Sequence, residues 1–182
     1  SDWGDVVGIF VKPVPTIDQI AAEQALRYGG PLYSSFMADF LEARGSTAHL
    51  EVGTFNGQSL APIKCATVAI DPKFKLRHPV MANKPAAFLF QMTSDAFFEE
   101  HDPCVYLRGP LTSAFLDGLH LFEALLRDVI NTERYCAADA VIFLHDCLPL
   151  TVAMTTRVHA DVSVSGAYPG WWTGDVWKLI PI

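Results

Sequence analysis

The chain has 182 residues, of which 51% are hydrophobic and 18% charged, and its formal net charge is −7. This composition predicts one compact globular domain and excludes a disordered chain. The acidic balance, without any run of Lys or Arg, argues against nucleic acid as the main partner. No run of about 18 apolar residues is present, so no membrane partner is expected. The four cysteines form no Cys-x-x-Cys pair, which favours reduced thiols in a cytoplasmic protein.

The N-terminal 45 residues carry two helical patterns, over 17–28 and 32–44, and predict a flank or lid beside a core at 46–182. The core opens with a short apolar strand at 48–52 that ends in a glycine turn and runs straight into a helix. At such a corner, backbone N–H groups face a ligand above the sheet edge. Gly53 lets that ligand approach closely, and Gly57 suits a positive φ or tight packing where the helix begins.

The residues around this turn narrow the class of ligand. Glu51 argues against phosphate, because a carboxylate repels a pyrophosphate and attracts a cationic or hydroxyl-rich group. The dinucleotide fingerprint requires a glycine where Phe55 stands, and a P-loop requires a lysine after Gly57. The turn therefore predicts a site for a charged amine cofactor that carries a ribose.

Further along the chain, strands are predicted at 66–72, 86–92, 113–117 and 140–144. Thr93-Ser94-Asp95 gives a helix N-cap signal after the third strand, and apolar spacing predicts a helix over 121–135. Strands that alternate with helices imply a parallel sheet with right-handed crossovers, and ligands lie outside the carboxyl ends of such strands. The candidate site residues at those ends are Glu51–Gly57, Asp71, Ser94, Asp95, Asp117–His120, His145 and Asp146.

Four motifs extend this pattern: Glu-Val-Gly-Thr-Phe-Asn-Gly at 51–57, Ala-Ile-Asp-Pro at 69–72, Phe-Leu-Asp-Gly-Leu-His at 115–120 with Arg-Asp at 127–128, and Leu-His-Asp-Cys-Leu-Pro at 144–149. With them, residues 31–182 resemble the class I S-adenosylmethionine-dependent methyltransferases, in particular the small-molecule methyltransferase family 24. The resemblance implies a Rossmann-like, doubly wound, mostly parallel α/β sheet. It also implies transfer of a methyl group to a hydroxyl of a small-molecule acceptor, such as a sugar or secondary metabolite.

The resemblance implies a role for each candidate in cofactor binding. Asp71 would accept the ribose hydroxyls, Ser94 and Asp95 would meet the adenine edge, and Asp117 would lie beneath the methionine and sulfonium. Carboxylates suit both tasks, since they accept paired hydroxyls and offset a positive charge. The methionine portion would be held by the first turn, with the candidates Glu51, Gly53, Thr54, Phe55, Asn56, Gly57 and Ser59.

The mechanism at the acceptor end has alternatives. Catechol-type and macrolide-type O-methyltransferases bind a divalent metal after the fourth and fifth strands, and Asp117, His145 and Asp146 match those places. Mg²⁺ or Mn²⁺ is then the expected ion, although a histidine ligand is less ideal for magnesium. In the metal-free alternative, His120 or His145 is a general base, with Asp146 in the same unit. In a purely structural role, His145 caps a helix and Asp117 orders a turn.

The sequence departs from the family at its C-terminal end. The family sheet closes with an antiparallel β6/β7 hairpin. We expect this sequence to lack it, either because the sequence is shortened or because the protein has lost it, since 173–179 resembles the start of the helix after the fifth strand. A partner subunit in a homo-oligomer could cover the exposed edge. Two other functions remain open, a nucleotide-dependent oxidoreductase and a non-catalytic binding relic of the fold. The acceptor pocket could be lined by the aromatic residues Tyr33, Phe36, Trp171 and Trp172.

Overall fold

Five parallel strands form a single sheet in the computed structural model, which describes residues 30–161 and 168–180. The spatial order is β3-β2-β1-β4-β5, and every neighbouring pair is parallel. This confirms the Rossmann-like α/β fold. The strand order reverses between β1 and β4, which is where such sheets form a ligand crevice. The strands are β1 (Ala48–Val52), β2 (Ala66–Ile70), β3 (Ala87–Phe90), β4 (Leu111–Leu116) and β5 (Cys136–Leu144).

Within residues 30–161 and 168–180, four α-helices and three short 3₁₀-helices accompany the sheet. Thr93 caps α2 by accepting the Ala96 N–H, which confirms the predicted N-cap. The helix predicted over 17–28 lies outside the described residues. Among the residues described, no helix is long and apolar enough to cross a bilayer. The α-helices are α1 (Tyr33–Ala43), α2 (Ser94–Glu100), α3 (Pro103–Leu107) and α4 (Phe122–Glu133), and the 3₁₀-helices are Val152–Thr155, His159–Asp161 and Val176–Leu179.

The two faces of the sheet bury different side chains, because successive residues of a strand point in opposite directions. Leu50 and Val52 of β1 pack in the larger hydrophobic cluster, together with Phe97 of α2 and Leu125 of α4. On the other face, α1 contributes to a smaller cluster of Met37, Leu41, Ile63 and Phe115. Helices therefore cover both faces, as a doubly wound sheet requires.

The helix predicted directly after β1 is wrong. Residues 53–63 form successive turns in which Gly53, Phe55 and Gly57 have positive φ. A single helix-like hydrogen bond, from the Ala61 N–H to the Gly57 carbonyl, is not continued. Pro62 follows and has no N–H to donate, so the turn cannot extend into a helix.

The C-terminal segment ends as a short 3₁₀-helix, Val176–Leu179, packed against α4. Its buried Val176 joins the same cluster as Leu125. Within the described part of the chain, no strand follows β5, so the sheet there has β3 and β5 at its edges. This agrees with a sheet that lacks the β6/β7 hairpin over the described range.

Candidate functional site

The turn after β1 lies directly against the loop after β4. Gly53 has a φ of 86°, and a Cβ at this position would overlap the carbonyl oxygen of Asp117. The Asp117 N–H donates to the Val52 carbonyl at 2.9 Å, which extends the β1–β4 pairing to the same point. Only glycine combines this backbone angle with this close approach. The pairing of β1 with β4 therefore holds the glycine turn against Asp117, the acid that follows β4.

Glu51 and Ser59 lie beneath this turn. The Glu51 side chain is 0% exposed, and its Oε1 accepts the Ser59 hydroxyl at 3.0 Å. Burial raises the pKa of Glu51 to about 7. Thr54 is also buried, and its Oγ1 has no hydrogen-bond partner within the described residues. These side chains support the turn from below, and direct contact between Glu51 and a ligand stays a prediction.

Asp71 joins the turn after β1 to the turn after β2. Its Oδ2 accepts the Phe55 N–H at 2.8 Å, and its Oδ1 accepts the Lys73 N–H at 2.6 Å. Asn56 makes a local bond instead, from its Oδ1 to the Gln58 N–H. Each carboxylate oxygen can accept more than one hydrogen bond. Asp71 therefore has acceptor capacity left for ribose hydroxyls, and that contact stays a prediction.

Ser94 and Asp95 fasten α2 to α4. Asp95 forms a bidentate ion pair with Arg127, with contacts of 2.9 and 3.0 Å, and this hydrogen bonding lowers its pKa. Burial raises the pKa of Asp128 to about 6, although the hydrogen bond from Ser94 opposes the shift. Both candidates for the adenine edge therefore already have partners within the fold, and their role toward adenine stays a prediction.

Two acids and two histidines from the loops after β4 and β5 form one cluster. Oδ1 of Asp117 lies 3.1 Å from His120 Nε2 and 3.2 Å from His145 Nδ1. Asp146 approaches both rings, at 3.5 Å from His120 Nδ1 and 3.4 Å from His145 Nδ1. Asp146 also has a φ of 55°, in the left-handed region that costs energy for a non-glycine residue. Strained backbone of this kind occurs preferentially at functional sites.

The acids and histidines of this cluster shift one another's pKa values, each favouring the charged form of its neighbour. Burial alone would lower the pKa of His145, but Asp117 and Asp146 outweigh it and raise that pKa to about 10. The pKa of His120 is also raised, because Asp117 outweighs the burial of the ring. Burial opposes ionisation of Asp117, yet the two histidines hold its pKa below the usual range. At neutral pH the His145 ring therefore holds its proton, and its charge offsets that of the carboxylates.

The same geometry suits a divalent cation. Ligand atoms of Asp117, His120 and Asp146 all lie within 4.8 Å of one another. A metal bonded at about 2.0–2.2 Å to each would need spacings of this kind. Two carboxylate oxygens and one imidazole nitrogen favour a transition metal such as Mn²⁺ over a purely oxygen-seeking Mg²⁺. The sequence assigned His145 to this ligand set. The structure places His120 with the same two acids as well, while His145 Nδ1 lies 3.2 and 3.4 Å from them.

Tyr33 of α1 contacts the cluster from the side. Its ring lies 4.6 Å from the ring of His145 and 5.8 Å from that of Phe115, measured between centroids. Burial, and then the charges of Asp117, Glu51 and Asp146, raise the pKa of Tyr33 to about 12, so the hydroxyl keeps its proton. The sequence offered Tyr33 as a pocket-lining aromatic residue. Its contact with His145 could not be predicted from the sequence, because the two residues lie on α1 and after β5, far apart in the chain.

Two residues that the sequence analysis did not select lie next to His120. Gly174 packs on the His120 backbone, and the buried Asp175 accepts the Phe122 N–H at 2.8 Å. The only available signal was the pair Gly-Asp in an aromatic segment, which by itself is typical of many turns.

A separate cavity of about 160 Å³ lies at the opposite end of the sheet. It is bounded by the end of α1 and by residues 63–65, which precede β2. An exposed ion pair between Lys64 and Glu42 borders it, at 2.7 Å. None of the candidate site residues lines this cavity, so it is not part of the cluster.

No protein-family model matches this chain, and no curated protein sequence matches it. The resemblance to methyltransferases therefore stays a prediction from the sequence motifs. Because a Rossmann-like sheet supports many unrelated functions, the functional argument has to come from the site.

Proposed function

We propose that this protein is a class I S-adenosylmethionine-dependent methyltransferase that methylates a hydroxyl group of a small molecule. The observation that carries the proposal is the contact between the Gly53 turn and the Asp117 loop. It places the glycine turn after β1 directly against the loop of Asp117, which belongs to a cluster of two carboxylates and two histidines within hydrogen-bond reach of one another. A cofactor lying on the turn would have its sulfonium near Asp117, and the carboxylate would offset the positive charge.

The chain's own residues would hold and orient the cofactor. The turn over 53–57 would hold the methionine portion, and Asp71 would use its remaining acceptor capacity for the ribose. The cofactor supplies an activated methyl group, and its transfer by in-line displacement consumes the sulfonium charge. The protein's contribution is then mainly to position the reactants and exclude water.

The acceptor hydroxyl must lose a proton, and the cluster offers two ways to assist. His145, with a pKa of about 10, is protonated at neutral pH and cannot accept a proton there. It serves better as a charged donor that stabilises a developing oxyanion. A divalent ion held by Asp117, His120 and Asp146 would lower the pKa of the hydroxyl as a Lewis acid. The donor set fits that ion, so metal assistance is the favoured alternative.

A nucleotide-dependent oxidoreductase is the competing enzyme class. Phe55 has a φ of 45°, in the position where the dinucleotide fingerprint places a glycine. Its side chain is half-exposed and would obstruct a pyrophosphate that has to approach the backbone. The nearby acids would also repel that anion. Both features favour a cationic cofactor.

Calorimetry with S-adenosylmethionine, S-adenosylhomocysteine and reduced nicotinamide dinucleotide tests this proposal. We expect the first two ligands to bind and the third not to bind. Asp117→Asn should weaken S-adenosylmethionine more than S-adenosylhomocysteine, because only the former carries the sulfonium charge. Asp139→Asn, at an exposed site at the far end of the sheet, is the matched control. Absence of binding by both methionine-derived ligands would overturn the assignment.

A further inference from the structure

His120 has its two ring nitrogens in different surroundings. Nε2 lies 3.1 Å from Asp117 Oδ1, whereas Nδ1 lies 3.1 Å from the backbone carbonyl oxygen of Trp172. A carbonyl can only accept a hydrogen bond, so this contact requires the proton on Nδ1. The Trp172 ring also packs on the imidazole, with 5.0 Å between centroids. The orientation of His120 therefore depends on a segment 52 residues away in the sequence, in addition to Asp146, whose Oδ2 lies 3.5 Å from Nδ1.

Gly174 sets the distance between that segment and the His120 loop. It has a φ of 61°, and a Cβ at this position would overlap the carbonyl oxygen of His120. The two backbones are therefore in direct contact, with no room for a side chain. Any residue larger than glycine has to push the Trp172 carbonyl away from the ring.

Asp175 fastens the segment to the same loop. Its carboxylate is 2% exposed and accepts the Phe122 N–H, two residues beyond His120. The charge is compensated by Arg157 and by Lys178, whose Nζ lies 2.8 Å away. Because the carboxylate is buried and paired in this way, it holds the segment of Asp175 against the loop of His120.

The residues before Gly174 are held from the other side. The Thr173 N–H and hydroxyl both lie 3.1 Å from the Met154 carbonyl. The Trp172 indole N–H donates to the Thr156 carbonyl at 2.6 Å. Trp172 and Thr173 are thus both fixed before the chain reaches Gly174, and the Trp172 carbonyl between them has little freedom to move.

We propose that Gly174 and Asp175 are positioning residues that fix the His120 ring with Nδ1 protonated and Nε2 directed at Asp117. A histidine whose outer nitrogen donates to a backbone carbonyl presents its other nitrogen in one tautomer and one orientation. Nε2 then faces Asp117 in a fixed orientation, and it would ligate a cation there once its own proton is lost. The effect on turnover depends on the proposed function, but the orientation of the ring does not.

Nitrogen-15 NMR of the imidazoles tests the orientation without any substrate. We expect the parent protein to show a slowly exchanging Nδ1–H of His120, assigned by its loss in His120→Gln. Gly174→Ala should abolish that signal or move it toward the position of a solvent-exposed ring. Gly170→Ala is the matched control, because Gly170 also has positive φ, at 75°, but nothing lies within 4 Å of its Cβ. An unchanged Nδ1–H signal in Gly174→Ala would overturn the proposal.

Asp175→Ala provides a second route if Gly174→Ala does not fold. We expect it to broaden or lose the same signal, whereas Glu123→Gln should not, since the exposed Glu123 side chain pairs with Arg157 but takes no part in the hydrogen bond from the Phe122 N–H to Asp175. Retention of the signal in Asp175→Ala contradicts the anchoring role. If methyl transfer is found, Gly174→Ala should lower kcat at least tenfold and leave the KM for S-adenosylmethionine within twofold. Failure of all methyl transfer would reject the proposed function while the NMR result still decides the positioning.

Discussion

Oε2 of Glu51 faces Nε2 of His49 across 4.0 Å, and both side chains are fully buried. Neither atom has a hydrogen-bond partner within the described ranges. Burial raises the pKa of Glu51 to about 7 and lowers the pKa of His49 to about 3. In the folded protein both groups are therefore neutral at mildly acidic pH, which avoids burying a charge beside the glycine turn.

This pair predicts opposite pH dependences for two single variants. In the unfolded chain at pH 5.5, Glu51 would release its proton and His49 would gain one, so the two effects on stability cancel. In Glu51→Gln only His49 remains, and the free energy of unfolding should fall as pH drops from about 6.5 toward 4.5. In His49→Gln only Glu51 remains, and that free energy should fall as pH rises from about 4.5 to 7.

Urea unfolding of both variants and the parent at several pH values measures these slopes. Each slope should differ from that of the parent by up to roughly 1.4 kcal/mol per pH unit, the value for one proton. Glu42→Gln, at an exposed ion pair, should leave the slope unchanged. The prediction is wrong if both buried variants keep the parent's pH dependence.

Gly53→Ala should destabilise the protein much more than Gly45→Ala. Both glycines have positive φ, at 86° and 66°. A Cβ at Gly45 meets nothing within 4 Å, whereas a Cβ at Gly53 overlaps the backbone of Asp117. Gly45→Ala should therefore cost only the backbone strain, about 1 kcal/mol. Gly53→Ala must also separate the β1 turn from the β4 loop, which thermal unfolding would show as a clearly lower Tm. Equal Tm values would contradict the close contact.

The sheet could be predicted from the sequence because strands are recognised from residues that are neighbours in the chain. Each strand is a short apolar run between turn signals, and Thr93 is an N-cap of the usual type, so neither needs knowledge of distant residues. The conformation over 53–63 was not predictable in the same way. Glycines there suggested a helix start, but Phe55 has a positive φ and donates its N–H to Asp71 in the turn after the next strand, a contact that no local pattern announces.

The sequence predicted which strand ends carry the candidate site residues, but not how their side chains are oriented toward one another. Parallel strands necessarily bring Asp117, His145 and Asp146 to one edge, and the structure confirms that they meet. The placement of His120 as well as His145 beside the two acids depends on ring orientations. Those orientations are set by Trp172 and Tyr33, whose contacts cross between elements remote in sequence.

Asp71→Ala should weaken binding of S-adenosylmethionine by about 1.5–3 kcal/mol, the range for hydrogen bonds to a charged group. Because Asp71 also holds the Phe55 and Lys73 N–H groups, calorimetry has to be accompanied by thermal unfolding without ligand. Asp102→Ala is the matched control, since Asp102 also accepts a backbone N–H, from Cys104, but lies before β4 at the other end of the sheet. Unchanged affinity in Asp71→Ala would remove this residue from the site.

The cluster at the acceptor end should distinguish a metal mechanism from a histidine base. If a cation is bound by Asp117, His120 and Asp146, chelator should abolish methyl transfer and Mn²⁺ or Mg²⁺ should restore it. Asp117→Asn and Asp146→Asn should each lose Mn²⁺ binding by calorimetry, whereas Asp139→Asn should not.

A base mechanism at His145 predicts a different set of results. Chelator should have no effect, and the rate should continue to rise with pH through neutrality toward about 10, because the neutral ring is the active form and Asp117 and Asp146 favour the charged one. His145→Ala should then lower kcat by about 10²-fold or more, the usual contribution of a general base. If His145→Ala and Asp146→Ala both retain full turnover on the true acceptor, these residues are structural and neither mechanism applies.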